Sequence, residues 1–255
     1  MSVNVGLDLG STAIKVVLTE GRKILWHGQT PTAPGQESLA QILTRKGLTE
    51  LGLTSRDVGQ VASTGYGRRL VGFAEKAVDE ILANAVGLFE LSGRTARHIV
   101  NIGGQDVKCI SLDEQGRVTD IKMNDKCAAG TGRFFELVAR LLDTPVSDFT
   151  DLSQAATESI TLNSTCVVFA ESEIVSLMAK GTKKMDIVKA LHESVARRVA
   201  SMFKYSELNE GLWLDGGPAM NKALVTALAD ELMTEVFVLD KPQYTVAYGA
   251  ALCLN

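Results

Sequence analysis

Apolar runs separated by short polar turns open the chain. The run Val5–Leu9 is followed by Gly10-Ser11-Thr12 and then by a second run, Ile14–Leu18. Two β-rich runs joined by so short a turn predict a β-hairpin. The segment Asn101–Ile110 aligns without a gap with Asp8–Val17, so that a glycine, a lysine and the apolar positions all match. This internal repeat predicts two lobes of similar structure.

A third strand–turn–helix pattern comes late in the chain. Leu212–Leu214 is a short apolar strand, Asp215–Pro218 is the turn, and Met220–Leu232 has helical spacing. The same spacing predicts helices at Glu75–Glu90, Arg133–Leu142, Ala170–Lys180, Asp186–Lys204 and Tyr244–Leu254. Asp186 is the expected N-cap of the fourth of these helices. We therefore expect an α/β protein with a first lobe at residues 1–95, on which a helix at 244–255 packs back, and a second lobe at 96–243.

Composition and charge narrow the class of protein. The chain has 255 residues, of which 45% are hydrophobic, enough to build two small cores. Its net charge is −4 and it has no basic run, so nucleic acid is not expected as a partner. No apolar stretch approaches the roughly 18–20 residues that span a bilayer, and no basic leader opens the sequence. A cytoplasmic, reducing location with no membrane contact is expected, where the four cysteines would not form structural disulfides.

The small residues of the turns suit phosphate binding, because backbone N–H groups can approach phosphate oxygens closely there. Asp8 at a strand end can position Mg²⁺ through water, and Gln105 and Asp106 can orient or deprotonate an attacking water. Lys15 either contacts a phosphate or lies in solvent. The expected nucleotide contacts are Gly10, Ser11, Thr12, Lys15, Gly103, Gly104, Gln105, and, on the adenosine side, Asp215, Gly216 and Gly217.

These three loops resemble the two phosphate loops and the adenosine loop of the superfamily that includes actin, sugar kinases and heat-shock chaperones. The resemblance implies two ribonuclease-H-like (actin-like) lobes with an ATP cleft between them, and no Walker A pattern competes with it. One position departs from the family pattern. Asn101 stands where Asp is usual, which weakens magnesium coordination there and places more weight on Asp8 and Asp106.

Two of the four cysteines lie in polar segments before predicted helices. A helix N-terminus favours thiolate over thiol, so Cys127 and Cys166 are candidate metal ligands, with small core residues as the alternative. A [4Fe–4S] cluster takes four thiolates, so two chains related by a two-fold axis would hold one cluster per homodimer. Cys109 and Cys253 lie in apolar runs and are expected in the core. No His/Cys spacing of a structural zinc site occurs.

The cysteine segments Asn124–Phe134 and Cys166–Glu173, together with Gly103–Asp106, resemble those of the activator ATPases of 2-hydroxyacyl-CoA dehydratases and of benzoyl-CoA reductase ATPase subunits. The resemblance implies a homodimer with one bridging [4Fe–4S] cluster, ligated by Cys127 and Cys166 of each chain. It also implies that ATP hydrolysis to ADP drives one electron into a dehydratase, after a ferredoxin or flavodoxin has reduced the activator.

Other interpretations stay open. The chain could be a small-molecule kinase with Asp106 as its base, or a regulatory or assembly ATPase in which the cysteines are incidental. Gly130 and Thr131 either line the nucleotide cleft or only permit tight turns beside the cysteine segment.

Overall fold

The protein is described by a computed structural model that covers residues 2–124, 128–163, 166–203 and 210–254. It divides into two compact units. The first comprises Met1–Ala96, Ile110–Asp120 and Gln243–Asn255, and the second comprises Arg97–Cys109 and Ile121–Pro242.

Strands and helices alternate along the chain. In order, they are β1 (Val3–Leu9), β2 (Ala13–Glu20), β3 (Lys23–Pro31), α1 (Gln36–Glu50), β4 (Val58–Thr64), β5 (Lys76–Ala77), α2 (Glu80–Leu91), β6 (His98–Ile102), β7 (Val107–Leu112), β8 (Val118–Asn124), α3 (Gly132–Leu141), α4 (Phe149–Gln154), α5 (Val167–Ala179), α6 (Lys184–Ala200), β9 (Leu212–Asp215), α7 (Lys222–Leu232), β10 (Val236–Val238) and α8 (Thr245–Leu252).

The strands form two five-stranded sheets with the same internal order. One sheet runs β3-β2-β1-β4-β5 and the other runs β8-β7-β6-β9-β10. Counted along the chain, the first strand of each sheet pairs in parallel with the fourth: β1 with β4, and β6 with β9. The repeat seen in the two hairpins therefore extends over whole sheets, and the α/β fold with two similar sheets is confirmed.

The first unit is completed by the far end of the chain. Helix α8 packs against β1 and α2, and its backbone approaches both at glycines. A Cβ on Gly6 would overlap the Ala247 carbonyl oxygen, and a Cβ on Gly249 would overlap that of Ala83. This layer therefore tolerates no side chain at either position.

The core of the second unit forms around α6, which is buried along much of its length. Apolar side chains from its strands and helices meet there, among them Phe134, Phe149, Ile174, Leu191 and Leu214. None of the helices within the described ranges is both long enough and apolar enough to cross a membrane.

Four predicted helix starts differ from the structure by two residues or more. Helix α5 begins at Val167, three residues before the predicted Ala170. Helix α2 begins at Glu80 rather than Glu75, because Lys76 and Ala77 pair with β4 as strand β5 and the Asp79 carboxylate accepts the Ile81 N–H at 3.0 Å. Helix α6 begins at Lys184, so Asp186 does not cap it.

The Asp186 carboxylate is used elsewhere. It accepts the backbone N–H groups of Thr157 and Glu158 at 2.7 and 2.9 Å.

Helix α7 begins at Lys222 rather than Met220, because residues 217–220 form a short 3-10 turn and Asn221 caps the helix.

His192 is a buried histidine in the core of the second unit. Its Nε2 lies 2.9 Å from the Asn221 Nδ2, and Asn221 Oδ1 accepts the N–H groups of Ala223 and Leu224. The amide nitrogen of Asn221 must therefore donate, which requires a neutral His192 with Nε2 as acceptor. Burial lowers the pKa of His192 to about 4.

We predict that His192 makes the protein sensitive to mild acid. Between pH 6.5 and about 4 the unfolded histidine binds a proton that the folded one does not. The free energy of unfolding therefore falls as the pH is lowered through this window, by up to about 3 kcal/mol from this group. His192→Gln keeps an acceptor for Asn221 and does not titrate, so its deficit relative to the native protein should shrink toward pH 4. Urea denaturation across the window measures this, and a deficit that does not change with pH would contradict it.

Candidate functional site

The first hairpin turn is anchored to its own sheet. The N–H of Gly10 donates to the Ala13 carbonyl at 3.2 Å, which closes the turn between β1 and β2. Thr32, just after β3, donates its hydroxyl to the Gly10 carbonyl at 2.7 Å and its N–H to the Thr12 carbonyl at 3.0 Å. The backbone of this small-residue turn is thereby fixed.

The second hairpin turn is closed in the same way but anchored to a helix. Gly103 donates to the Asp106 carbonyl at 2.9 Å, the bond that corresponds to Gly10 and Ala13 in the repeat. The carbonyls of Gly103 and Gly104 accept the N–H groups of Gly132 and Arg133 at 2.9 and 3.1 Å. The first N–H groups of a helix have no partner within it, so the turn and the start of α3 are joined directly.

Each hairpin holds one lysine–aspartate pair, but the aspartates are not equivalent. Lys15 lies 2.9 Å from Asp8, its register partner across β1 and β2, and its side chain is only 18% exposed. The structure therefore does not show Lys15 free in solvent, which was one of the two positions expected for this side chain. Lys108, the repeat equivalent of Lys15, lies 2.8 Å from Asp106 in the turn, with both side chains buried. Near-complete burial makes each of these two charges dependent on the other.

The ends of the central parallel strands bring distant residues together. Asp8 lies opposite Thr64 at the ends of β1 and β4. At the corresponding place in the second sheet, Asn101 lies opposite Asp215 and donates from Nδ2 to its Oδ1 at 2.9 Å. All four residues are buried. Asp215 was expected on the adenosine side. It is also the hydrogen-bond partner of Asn101, the position that departs from the superfamily pattern.

Of the two candidate cysteine ligands, the structure describes Cys166. It is the N-cap of α5, its thiol is partly exposed, and it forms no disulfide. Two residues in the first turn of α5, Val168 and Phe169, are 67% and 69% exposed. Cys127 lies outside the described residues. Among those described, no three His, Cys, Asp or Glu side chains are grouped to hold a metal ion.

Of the other two cysteines, Cys109 is buried in the core, whereas Cys253 is half-buried and packs against a small apolar cluster of the first unit. Burial raises the pKa of Cys109 to about 12 and also raises that of Cys253, so neither thiolate is favoured. Thr131 is the N-cap of α3 and is buried, and its hydroxyl donates to the Ala128 carbonyl at 2.8 Å within a tight turn that includes Gly130. Contact of these two residues with a nucleotide stays a prediction.

The chain matches the BadF/BadG/BcrA/BcrD ATPase family over residues 5–253. It belongs to this family. The 2-hydroxyisocaproyl-CoA dehydratase activator of Clostridioides difficile is 40% identical over 248 residues, which make up 97% of this chain and 92% of the relative. The (R)-2-hydroxyglutaryl-CoA dehydratase activating ATPase of Acidaminococcus fermentans is 37% identical over 249 residues, 97% of this chain and 95% of the relative.

A solved structure of a BadF-family relative supports the same assignment. The activator of the 2-hydroxyisocaproyl-CoA dehydratase from Clostridium difficile, with bound ADPNP, superposes with a TM-score of 0.93 at 38% identity. The match covers 98% of this chain and 93% of that one. The actin-like fold expected from the three loops is confirmed.

Sequence reasoning missed one turn in this BadF-family chain. Gly65 follows β4 as Gly216 follows β9, and both have positive φ, +82° and +91°. A Cβ on Gly65 would lie 2.8 Å from the carbonyl oxygen of Leu9. A Cβ on Gly216 would overlap the carbonyl oxygen of Ile102, which is the repeat equivalent of Leu9. Within the described residues the buried Thr64 hydroxyl has no hydrogen-bond partner. A Thr-Gly pair at the end of a predicted β-strand was the available signal.

We predict that the two glycines of the turn after β9 tolerate substitution differently. Gly216 has φ +91° and ψ 175°, a region that is almost exclusive to glycine, so Gly216→Ala should lower the free energy of unfolding by about 1–3 kcal/mol from strain alone. Nothing lies within 4 Å of a Cβ on Gly217. Gly217→Ala is therefore the matched control, with an expected change within about 0.5 kcal/mol. Equal losses in urea denaturation would show that the turn is not held as described.

Proposed function

We propose that this chain is an ATP-driven one-electron donor that activates a dehydratase of the 2-hydroxyacyl-CoA type. One observation carries the proposal. The phosphate-loop candidate Gly103–Asp106 is hydrogen-bonded to the start of α3, the helix that follows Cys127 along the chain, and α3 packs on α5, which begins at Cys166. The relatives named as dehydratase activator and activating ATPase, which match almost the whole chain, support the same function.

The nucleotide is ATP with Mg²⁺, and its ligands come from the two hairpin turns and from the turn after β9. The lobes are residues 1–95 with 244–255, and residues 96–243, with the cysteines in the second. Backbone and side-chain donors of the two hairpin turns bind the phosphates, and Asp8 positions Mg²⁺ through water. The open space beside Gly217 leaves room for adenosine. The phosphate ligands are Gly10, Ser11, Thr12, Lys15, Gly103, Gly104 and Gln105, with Gly130 and Thr131 nearby, and Asp215, Gly216 and Gly217 line the adenosine side.

Hydrolysis needs a positioned water. Gln105 orients this water and Asp106 accepts its proton, while the water oxygen bonds to the γ-phosphorus and the bond to the β–γ bridging oxygen breaks. The products are ADP and phosphate. Lys108, 2.8 Å from Asp106, fixes the position of that carboxylate.

The cysteine residues fit an iron–sulfur cluster. The partly exposed Cys166 lies at the N-terminus of a 13-residue helix, whose first N–H groups have no partner within the helix. A [4Fe–4S] cluster, when bound, supplies reversible one-electron chemistry. Cys127 and Cys166 supply two thiolates per chain, so a homodimer supplies the four that a cluster takes.

The surface around Cys166 suits a homodimer. Val168, Phe169 and Val175 of α5 are at least half exposed, and exposed apolar side chains on one helix are typical of a protein interface. A second copy of this chain would cover them and bring the two Cys166 residues toward a shared cluster.

The hydrogen bonds between turn and helix couple hydrolysis to the cysteines. Loss of the γ-phosphate changes what the amides of Gly103 and Gly104 bind. Any shift of their carbonyls then moves the first turn of α3, to which they are bonded. The helix α5, packed on α3, moves with it. A ferredoxin or flavodoxin supplies the electron, and the dehydratase accepts it.

The activator assignment is favoured over the two alternatives. The relatives that match this chain along its length are named for dehydratase activation. A small-molecule kinase with Asp106 as base, or a regulatory ATPase with incidental cysteines, would give no reason for a partly exposed cysteine beside exposed apolar residues.

We predict that iron binding depends on two of the four cysteines. After anaerobic purification and reconstitution, the native dimer should carry about four iron and four sulfide ions, and Cys127→Ser and Cys166→Ser should lose them. Cys109→Ser and Cys253→Ser are the matched controls and should keep the cluster, because Cys109 is a buried core residue and the half-buried Cys253 packs against an apolar cluster of the first unit. All four variants should still bind a fluorescent ADP analogue. A colourless, iron-free native dimer would refute the proposal.

We predict that Asp106 is needed for hydrolysis but not for nucleotide binding. Removing a general base slows turnover by about 10²–10⁴-fold, so Asp106→Asn should release phosphate from ATP that much more slowly at nearly unchanged ADP affinity. Asp113→Asn, at a partly exposed carboxylate in the turn between β7 and β8, is the control and should hydrolyse ATP at the native rate. Equal rates for the two variants would exclude Asp106 as the base.

A further inference from the structure

The two sheets carry one carboxylate each at their paired strand ends, but on opposite strands. In the first sheet the acid is Asp8, on β1, opposite Thr64 of β4. In the second sheet the first strand ends with the neutral Asn101, and the acid is Asp215, on β9. Because the strand order is the same in both sheets and the ends of β6 and β9 pair in the same register as those of β1 and β4, the second sheet has its carboxylate on the neighbouring strand.

The carboxylate fixes the orientation of the amide. Asn101 donates from Nδ2 to Asp215 Oδ1, so Nδ2 is the end of the amide that faces Asp215. The Oδ1 of Asn101 is therefore turned away from Asp215 and is available as an acceptor in the place that the Asp8 carboxylate has in the first sheet.

The carboxylate also changes the character of that oxygen. Asp215 is fully buried, and its Oδ1 lies 2.9 Å from Asn101 Nδ2. In a medium of low dielectric, a hydrogen bond donated to a charge polarises the donor group and strengthens what its other end accepts. Asn101 thus supplies an oxygen, while the negative charge lies one hydrogen bond behind it.

Such an oxygen suits a hydrated divalent cation. Mg²⁺ usually keeps several waters and makes few direct protein contacts, so carbonyl-type oxygens that accept from its waters are sufficient. We infer that Asn101 and Asp215 together replace a single aspartate: Asn101 Oδ1 accepts from a water on nucleotide-bound Mg²⁺, and Asp215 is the positioning residue that orients and polarises the amide. This inference rests on the proposed binding of magnesium nucleotide, and it gives Asp215 a role at the metal in addition to its place on the adenosine side.

The test exchanges the two residues. Asp215→Asn and Asp215→Thr remove the charge, whereas Asn101→Asp combined with Asp215→Thr copies the Asp8 and Thr64 arrangement of the first sheet. The probes are Mn²⁺ bound to the protein–ADP complex, measured by electron paramagnetic resonance, and the affinity of a fluorescent ADP analogue with and without Mg²⁺. Loss of a residue that orients a metal ligand typically costs about 10–100-fold in metal affinity. Both single variants should lose Mn²⁺ affinity by that factor, and the exchanged pair should regain most of it.

A buried carboxylate of the same unit separates this role from a purely structural one. Asp186 is also almost fully buried and accepts backbone N–H groups. Asp186→Asn should lower the melting temperature but leave the Mn²⁺ affinity of the ADP complex unchanged.

Two results would overturn the inference alone. One is native-like Mn²⁺ affinity in Asp215→Asn, and the other is an exchanged pair that binds Mn²⁺ no better than Asp215→Thr. A native protein that binds no magnesium nucleotide at all would instead overturn the proposed function, and this inference with it.

Discussion

The parallel pairing of the first and fourth strands is the constraint on which the rest of the structure depends. Because parallel strands end at the same edge of a sheet, β1 with β4 and β6 with β9 place their last residues side by side. The turns that follow must leave this crowded edge at once, which accounts for the left-handed glycines Gly65 and Gly216. Asn101 and Asp215, far apart in sequence, become hydrogen-bonded neighbours for the same reason.

The two hairpin turns are alike in sequence but differ in what holds them. The turn at Gly10 is bonded to Thr32 at the end of β3, and so to its own sheet. The turn at Gly103 is bonded to the first residues of α3. A ligand that displaced the first turn would work against a sheet, whereas one that displaced the second would move a helix end. This difference assigns the sensing part of the proposed mechanism to the second unit.

Much of the fold could be predicted because its signals are local. The hairpin repeat, the late strand–turn–helix unit and most helices follow from spacing within short windows. Strand β5 could not be predicted in this way, since two residues carry no periodicity, and its pairing with β4 delayed the start of α2. Asp186 was expected to cap a helix because of its position in the sequence. Its carboxylate instead accepts the backbone N–H groups of Thr157 and Glu158, which are distant in sequence.

The residues of the candidate site also differ in whether local sequence is enough to predict them. Residues within one turn, such as Gly103 and Asp106, could be chosen from the sequence because their chemistry and spacing are contiguous. The partner of Asn101 could not, because it depends on which strands are adjacent and in what register. A position-by-position reading finds an acid missing at 101, whereas the pair of strand ends has kept its charge.

Helix α8 has a consequence for the order in which the chain folds. The first unit includes residues 243–255, whose helix packs against β1 and α2 through backbone contacts at Gly6 and Gly249. These residues are synthesised after the whole second unit. The N-terminal unit therefore has an uncovered sheet face during synthesis until its last helix emerges, although N-terminal domains generally fold first. The second unit, which depends on no later segment, is able to complete its core earlier, so synthesis from the N-terminus and completion of the two cores run in opposite orders.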